Sequence, residues 1–344
     1  MALLALVAGA TISAAPTGAA SSSPPTGAAS SSAPAGAAPS LPAPFIAGAY
    51  QHVPLGIAAD TPRIARVPWP SAGTLTWAFA TGECGSERWG DFDTEAFARI
   101  NVADFVRSGR RYVVSTGGEA GIFSCAGAAG MRRFVARYDS PQLAGIDFDI
   151  EGRQTPQQIT DLVNAAAAVQ RERPALRWSF TLATHAAGDG SRRSLNATGE
   201  RVLEAIRVAR LDGAIVNLMA MNYGPADARW CVLREGATPA ACDMGRSAVQ
   251  AAENVHARYR LPYHRIALTA MLGENDVAGN VFTPADARVL LQGAHRLGLA
   301  GVHYWSLARD QPCPPGSARV SPACHGLPGV DAGAFGRLLD EPKP

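Results

Sequence analysis

The sequence has no excess of either charge. Only 17% of its 344 residues are charged, and 31 basic residues stand against 29 acidic ones. Basic residues come together only in short pairs such as Arg110-Arg111. Nucleic acids and anionic membranes are bound through concentrated positive charge. We therefore expect neither of them as a partner, and we expect a surface that is close to neutral.

Sequence motifs for common cofactors are missing as well. There is no GxGxxG or Walker loop for nucleotides and no HExxH pair for zinc. The cysteines form no CxxC pair and no Cys/His cluster with the spacing of zinc ligands. We expect no cofactor and no metal. A metal-dependent barrel enzyme is kept as an alternative, because His185 or His303 could add a ligand to carboxylates at strand ends.

The N-terminal region differs in composition from the rest of the chain. Residues 1–15 read MALLALVAGATISAA, an apolar stretch typical of a signal peptide but without the usual basic start. Residues 16–44 are almost wholly Ala, Ser, Pro, Gly and Thr, which is typical of a disordered linker. We predict a secreted protein with a single folded domain in residues 45–344. An apolar helix docked on that domain is the alternative for residues 1–15.

The cysteine count suits an exported protein with disulfides. The six cysteines are Cys84, Cys125, Cys231, Cys242, Cys313 and Cys324. Their spacing favours a pair between the third and the fourth and another between the fifth and the sixth, which leaves the first two to pair with each other. Free buried thiols are the alternative.

Eight short apolar runs alternate with helical patterns from Phe45 onward. The runs are FIAGAYQHV from Phe45, TLTWAFA from Thr74, RYVVSTGG from Arg111, LAGIDFDIE from Leu143, RWSFTLAT from Arg177, AIVNLMAMNY from Ala214, RIALTAML from Arg265 and GVHYWSLA from Gly301. Helical patterns include residues 94–108, 156–171, 246–259 and 284–297. Parallel strands joined by helices give this alternation, and eight units predict a (β/α)8 TIM barrel in the α/β class. A doubly wound open sheet is the alternative.

The fourth run carries three acids at every second position. Asp147, Asp149 and Glu151 are separated by Phe148 and Ile150, so the acids share one face of the strand. The apolar residues suit the layer beneath the helices, which leaves the barrel interior to the acids. Crowded carboxylates disfavour one another's ionisation, and Glu151 at the mouth is the natural proton holder and general acid. Asp147 and Glu151 lie about 13 Å apart along the strand, too far to ligate one ion.

Two acids on one strand approach a substrate from one side. Most glycosidases use carboxyl groups on opposite sides of the scissile bond, so the second acid here is a poor nucleophile. A 2-acetamido sugar supplies its own nucleophilic oxygen, and a neighbouring aspartate then only positions the acetamido group. The spacing therefore points to hydrolysis of a glycan that contains N-acetylglucosamine.

Several motifs together resemble glycoside hydrolase family 18, the chitinases and their relatives, over residues 45 to about 339. Asp147-Phe148-Asp149-Ile150-Glu151 resembles the end of the family's DxxDxDxE motif, and Ser115-Thr116-Gly117-Gly118 resembles its SxGG motif. Met221-Asn222-Tyr223 is similar to its Met-x-Tyr on strand six, and Trp305 stands at the position of its strand-eight tryptophan. Tyr50, Phe79, Asn275 and Asp276 are similar to less specific positions of bacterial members.

The resemblance implies a role for each matched residue. Glu151 protonates the glycosidic oxygen and later activates water, and Asp149 holds the acetamido group through its N–H. Tyr223 donates its hydroxyl to the acetamido oxygen, and Asp147 tunes Asp149. Trp305 stacks beneath the sugar. The remaining matched positions, expected to contact substrate, are Met221, Tyr50, Phe79, Gly117, Gly118, Asn275 and Asp276.

The sequence departs from the family pattern at two positions. Ala144 stands where the signature begins with Asp, and Gly224 follows Tyr223 where many members carry an acid or amide. Asn222 is not expected to replace that group, because adjacent strand side chains point in opposite directions. These departures leave a non-catalytic carbohydrate-binding protein as an alternative. Action on peptidoglycan or on the cores of N-linked glycans is another.

The segment between the seventh and eighth runs is short. It has room for one loop and one helix, so the extra domain that walls the cleft of some relatives is not expected. The resemblance then implies an open groove and endo-type cleavage of chitin or chito-oligosaccharides by a monomer.

Overall fold

The computed structural model describes residues 45–55, 62–64 and 73–340. The predicted signal peptide (1–15) and linker (16–44) lie outside these residues and stay predictions. None of the helices in the described part of the chain combines the length and the apolar composition that a membrane crossing requires.

Eight parallel strands close into a barrel. The strands are β1 Ile46–His52, β2 Leu75–Ala80, β3 Tyr112–Gly117, β4 Leu143–Ile150, β5 Arg177–Ala183, β6 Ile215–Ala220, β7 Ile266–Met271 and β8 Gly301–Trp305. Neighbours along the chain pair in parallel around the ring, and β8 pairs with β1. The predicted (β/α)8 barrel is confirmed, and the open-sheet alternative is wrong.

A helix follows each strand from β2 onward. The helices are α1 Thr94–Ser108, α2 Ala128–Arg137, α3 Pro156–Glu172, α4 Ala197–Ala209, α5 Met244–Tyr259, α6 Pro284–Leu297 and the short α7 Gly336–Leu339. Helices α3 and α6 begin at a Thr-Pro pair, with the Thr side chain accepting a backbone hydrogen bond. Helix α5 begins two residues earlier than predicted, because Asp243 caps it by accepting from the N–H of Arg246.

The apolar side of β4 packs outward against its neighbours. The ring of Phe148 lies 5.2 Å from that of Phe180 and 6.0 Å from that of Trp178, both on β5. Phe148 and Ile150 are almost fully buried beneath the helices. With these side chains outside the barrel wall, the alternate acids of β4 point inward, as the period of two predicts.

Two small sheets and three disulfides elaborate the loops of the barrel. Gly82–Glu83 pairs with Phe123–Ser124, and Gly273–Glu274 pairs with Val281–Phe282. The disulfides are Cys84–Cys125, Cys231–Cys242 and Cys313–Cys324. This is the pairing that the spacing favours, and the free-thiol alternative is wrong. The disulfide at Cys84 joins the ends of the first small sheet, so it fixes the loops after β2 and β3 to each other.

Candidate active site

Asp147 lies inside the barrel at the centre of a polar network. Its carboxylate accepts hydrogen bonds from the hydroxyls of Tyr50 at 3.0 Å, Ser115 at 2.7 Å, Ser179 at 2.6 Å and Thr181 at 2.9 Å. The hydroxyls come from strands β1, β3 and β5, which surround Asp147 on β4. Burial raises the pKa of Asp147, and the four hydroxyl donors act in the opposite direction. Asp147 is therefore held in a fixed position inside the barrel, beneath the next acid of the strand.

Asp149 is buried without the donors that Asp147 has. It is 5% exposed, and its Oδ1 atom has no hydrogen-bond partner among the described residues. Burial raises its pKa well above the ordinary value, and the charges of Glu151 and Asp147 raise it further. A buried carboxylate oxygen without a partner is costly to keep. This atom is the clearest unfilled acceptor of the site.

Glu151 follows the last residue of β4 at the mouth of the barrel. Burial, followed by the charge of Glu119, raises its pKa to about 7. Glu119 is exposed and comes from the loop after β3, so it approaches from a different strand. A carboxyl group that titrates near neutral pH can both donate and accept a proton there.

A cavity of about 890 Å³ opens over these acids at the carboxyl ends of the strands. Asp149 and Glu151 line it together with Tyr50, Phe79 and Trp305. The rings of Phe79 and Trp305 are stacked, with centroids 5.5 Å apart. The predicted acids and aromatic residues thus meet in one cavity, whose volume is in the upper part of the range for ligand sites.

The two glycines after β3 explain the SxGG motif in physical terms. Gly117 has φ +87°, and a Cβ atom there would come within 2.2 Å of the carbonyl oxygen of Asp149. Gly118 has φ +77°, and a Cβ atom there would meet the ring of Phe79 at 2.7 Å. The glycines let β3 approach the acidic strand closely. Gly117 lines the cavity, whereas Gly118 supports Phe79 from outside the lining.

The segment after β6 places two neighbouring residues in different surroundings. Asn222 lines the cavity with Met221, whereas Tyr223 is 1% exposed, packs in the hydrophobic core and is not among the lining residues. Strand β6 ends at Ala220, and Asn222 has φ +50°, so the strict alternation of strand side chains no longer applies at these positions. The Tyr223 hydroxyl is buried and has no hydrogen-bond partner among the described residues, so its role toward the acetamido oxygen stays a prediction, and the Asn222 amide is a polar group from this segment that lines the cavity.

Asn275 and Asp276 have different surroundings in the structure. Asp276 lines the cavity and accepts a hydrogen bond of 2.7 Å from the Asn222 amide. Asn275 is fully buried, and its amide donates to the carbonyls of Met271 and Gly273 at 3.0 Å. Asn275 thus shapes the loop after β7, and it does not line the cavity as predicted.

Three lining residues were not predicted from the sequence, and His185 was considered there only as a possible metal ligand. Glu119 follows the glycine pair, His185 follows β5, and Val320 and Pro322 come from the long loop after β8. Each follows a barrel strand, which is the signal that could also have identified Glu119. Val320 and Pro322 lie 15 or more residues beyond the end of β8 and have no such signal.

The metal-dependent alternative requires several ligand atoms close enough together to bind one ion. In the described ranges, the grouping of His, Cys, Asp and Glu atoms close enough to hold an ion is Glu83, Cys84 and Cys125. Its two cysteines are joined in a disulfide. His303 is buried in the barrel outside the cavity lining, and burial, with the charge of Arg177, lowers its pKa to about 3. The β4 acids are not part of such a grouping.

Known proteins similar to this chain include two curated sequences. A probable bifunctional chitinase/lysozyme of Escherichia coli is 29% identical over 220 residues, which are 57% of this chain and 22% of that protein. Endochitinase 11 of Metarhizium anisopliae is 27% identical over 205 residues, which are 53% of this chain and 36% of that protein. The matched segments span well under half the length of either relative. No protein-family model matches the chain.

A solved structure covers more of the chain. The active domain 2 of a thermostable chitinase from Pyrococcus furiosus, in catalytic-site mutants complexed with chito-oligosaccharides, is 25% identical with a TM-score of 0.63. The similarity covers 87% of this chain and 94% of that one. The sequence matches and the structural match extend the resemblance from the short motifs to the larger part of the barrel.

Proposed function

We propose that the chain is a glycoside hydrolase of the chitinase type, as in family 18, and that it hydrolyses β-1,4-linked chains of N-acetylglucosamine. One observation carries the proposal. Asp149 and Glu151 leave the same strand into one cavity, both with raised pKa values, and an oxygen of Asp149 has no partner among the described residues. This pair suits a substrate that supplies its own nucleophile.

In the first step, Glu151 donates its proton to the glycosidic oxygen as the bond to C1 breaks. The carbonyl oxygen of the substrate's acetamido group attacks C1 and forms an oxazolinium ion. The carboxylate of Asp149 accepts a hydrogen bond from the acetamido N–H and stabilises the positive charge. The buried Oδ1 atom of Asp149 supports this role, because an N–H donor would satisfy it.

In the second step, the Glu151 carboxylate takes a proton from water, and the oxygen of that water attacks C1. The oxazolinium ring opens, the acetamido group is restored, and the product keeps the configuration of the substrate. Trp305 and Phe79 provide the apolar surface for the sugar ring. The Asn222 amide, held by Asp276, is a polar group after β6 that lines the cavity. Tyr223, whose buried hydroxyl has no hydrogen-bond partner among the described residues, stays the predicted donor to the acetamido oxygen.

We further propose endo-type cleavage by a secreted monomer. The volume of the cavity, about 890 Å³, and its lining by residues from several loops support a site that holds more than one sugar unit. Three disulfides suit an oxidising, extracellular setting. Peptidoglycan and N-linked glycan cores contain the same acetamido sugar and are the alternative substrates.

The acetamido requirement is the experiment that tests this function. We expect the protein to cut a chito-oligosaccharide of six N-acetylglucosamine units and to leave the fully deacetylated hexamer nearly intact, because glucosamine lacks the acetamido oxygen that attacks C1. Product analysis of both hexamers by mass spectrometry measures this. Equal cleavage of the two would contradict the mechanism, and binding without cleavage would identify a carbohydrate-binding protein.

The pH dependence of the reaction should reflect the pKa of Glu151. Because the acid form donates the proton, we expect kcat to fall as pH rises above about 7. The charge of Glu119 contributes to that raised pKa. Replacing Glu119 with Gln should therefore move the falling limb to lower pH, by roughly half a unit or less because the group is exposed and screened.

Rate profiles from pH 5 to 9 at low and high salt measure the shift. Glu204→Gln is the matched control, since Glu204 is an exposed acid on α4 outside the cavity lining. In the control variant, kcat should fall over the same pH range as in the wild type. If kcat of the Glu119 variant falls over the same pH range as in the wild type at low salt, the carboxylates of Glu119 and Glu151 do not interact.

A further inference from the structure

The long loop after β8 forms one wall of the cavity. Val320 and Pro322 line it together with Asp149 and Glu151. Strand β8 lies four places from β4 in the ring of eight, so the loop rises from the opposite side of the barrel from Glu151. Pro322 is exposed and Val320 half-buried, so apolar surface of both faces the cleft. The catalytic scheme proposed above uses neither residue.

The loop is held in a fixed shape. The disulfide Cys313–Cys324 closes it, and the Gln311 side chain donates to the carbonyl of Ala323 at 2.9 Å. The N–H of His325 donates to the carbonyl of Gln311 at 3.0 Å, which draws the two ends of the loop together. A wall that is ordered before binding loses little conformational entropy when a ligand contacts it.

Two arginines tie this loop to the loop after β7. The buried guanidinium of Arg309 donates to the carbonyl oxygens of Leu272, Glu274 and Ser321. Arg319 donates to the Glu274 carboxylate at 2.7 Å and to the carbonyl of Asp276 at 3.2 Å. Since the carboxylate of Asp276 holds the Asn222 amide, the disulfide-closed loop also supports the polar group that faces the substrate.

We propose that Val320 and Pro322 form a binding subsite for a sugar unit of the glycan remote from the cleaved bond. The inference rests on the proposed function for the identity of the ligand. Pyranose rings present an apolar C–H face, and rigid apolar side chains at a cleft wall match such a face. The subsite explains how a barrel with a short segment between β7 and β8 acquires a wall on that side.

The test compares long and short ligands in the full-length protein. In the Glu151→Gln background, calorimetry gives the Kd of the hexamer and of the dimer of N-acetylglucosamine without turnover. Replacing Val320 with Ser and Pro322 with Ala should weaken hexamer binding roughly fivefold to tenfold more than dimer binding, as truncation of well-packed contacts does. In the active enzyme, the same pair of substitutions should raise KM for the hexamer and change kcat little.

The disulfides supply matched controls. The Cys313→Ser/Cys324→Ser variant should also lose preference for the hexamer, because the wall becomes loose. The Cys231→Ser/Cys242→Ser variant opens a loop of the same length, and residues 225–242 contribute nothing to the cavity lining. That variant should keep the hexamer preference, and thermal unfolding verifies that both variants are folded.

The outcomes separate the subsite from the proposed function. Unchanged hexamer preference in both the Val320/Pro322 and the Cys313/Cys324 variants overturns the subsite, whatever the catalytic activity. Equal loss in the two disulfide variants also overturns it, because the effect would then follow general stability. Absence of hydrolysis in the wild type, with the length preference still lost in the variants, overturns the proposed function and leaves the subsite supported.

Discussion

The Glu151→Gln variant is expected to lose about 10²- to 10⁴-fold in kcat on a chito-oligosaccharide, the contribution of a positioned general acid. Gln has nearly the shape of Glu and can still donate a hydrogen bond, but it cannot transfer a proton to the leaving oxygen. Affinity for the substrate should change little, because the substitution removes no apolar contact. Initial rates on a defined hexamer, with calorimetry on the same protein, measure the two quantities separately.

Two controls make this expectation specific. The Glu119→Gln variant changes a neighbouring carboxyl that also lines the cavity, and at its own pH optimum it should keep most of kcat. The Glu151→Gln protein should be at least as stable as the wild type at pH 8, since the raised pKa means that the folded state disfavours the ionised group. A variant that is folded and as fast as the wild type would remove Glu151 from the mechanism.

The barrel could be predicted from the sequence because local signals and packing agree. Each of the eight apolar runs contains a barrel strand, and the Thr-Pro pairs at Thr155 and Thr283 mark helix starts through well-understood capping. The acids of β4 could be placed inside the barrel because the period of two holds as long as the chain stays in the strand. Agreement between propensity and pattern is what makes such regions predictable.

The segment after β6 shows where this reasoning ends. The alternation rule was applied to Asn222, but the strand ends at Ala220 and Asn222 adopts a left-handed conformation. Its amide is then held by Asp276 from another loop and also contacts the thioether of Met271 at 3.9 Å. No local pattern of the sequence encodes that contact. A residue two positions beyond a strand takes its direction from its partners.

The wall at Val320 and Pro322 was missed for a related reason. Its position depends on Arg309 and Arg319 bonding to carbonyls that precede them by more than thirty residues in the chain. The only sequence sign of an ordered loop was the short spacing of Cys313 and Cys324. That spacing indicates a closed loop but not the surface against which it lies.

The Asp149→Asn variant is expected to be less active and more stable than the wild type. The amide removes the charge that stabilises the oxazolinium ion, and loss of one such electrostatic group reduces kcat by about 10²- to 10³-fold. At the same time, the folded protein no longer buries a carboxylate with an unpartnered oxygen. We expect the free energy of unfolding to rise by on the order of 1 kcal/mol or more at pH 8.

The sign of the pH effect distinguishes this cause from improved packing. Because the pKa of Asp149 is raised in the folded state, the unfolded chain releases that proton first as pH rises. The contribution of Asp149 to stability is therefore present at acidic pH and is lost as pH rises through the raised pKa. The gain in the Asn variant should be absent near pH 4 and grow toward pH 8, as measured by urea unfolding.

Asp147→Asn is the matched control on the same strand. Asp147 accepts from four hydroxyls, and an amide retains one acceptor oxygen and adds a donor among them, so buried hydroxyls lose their partner. That variant should lose roughly 1–3 kcal/mol of stability. The two substitutions are identical in chemistry and lie two residues apart. They should change the free energy of unfolding at pH 8 in opposite directions. Destabilisation of the Asp149 variant at pH 8 would mean that its carboxylate is held by favourable partners, and the reason for assigning it to the acetamido group would disappear.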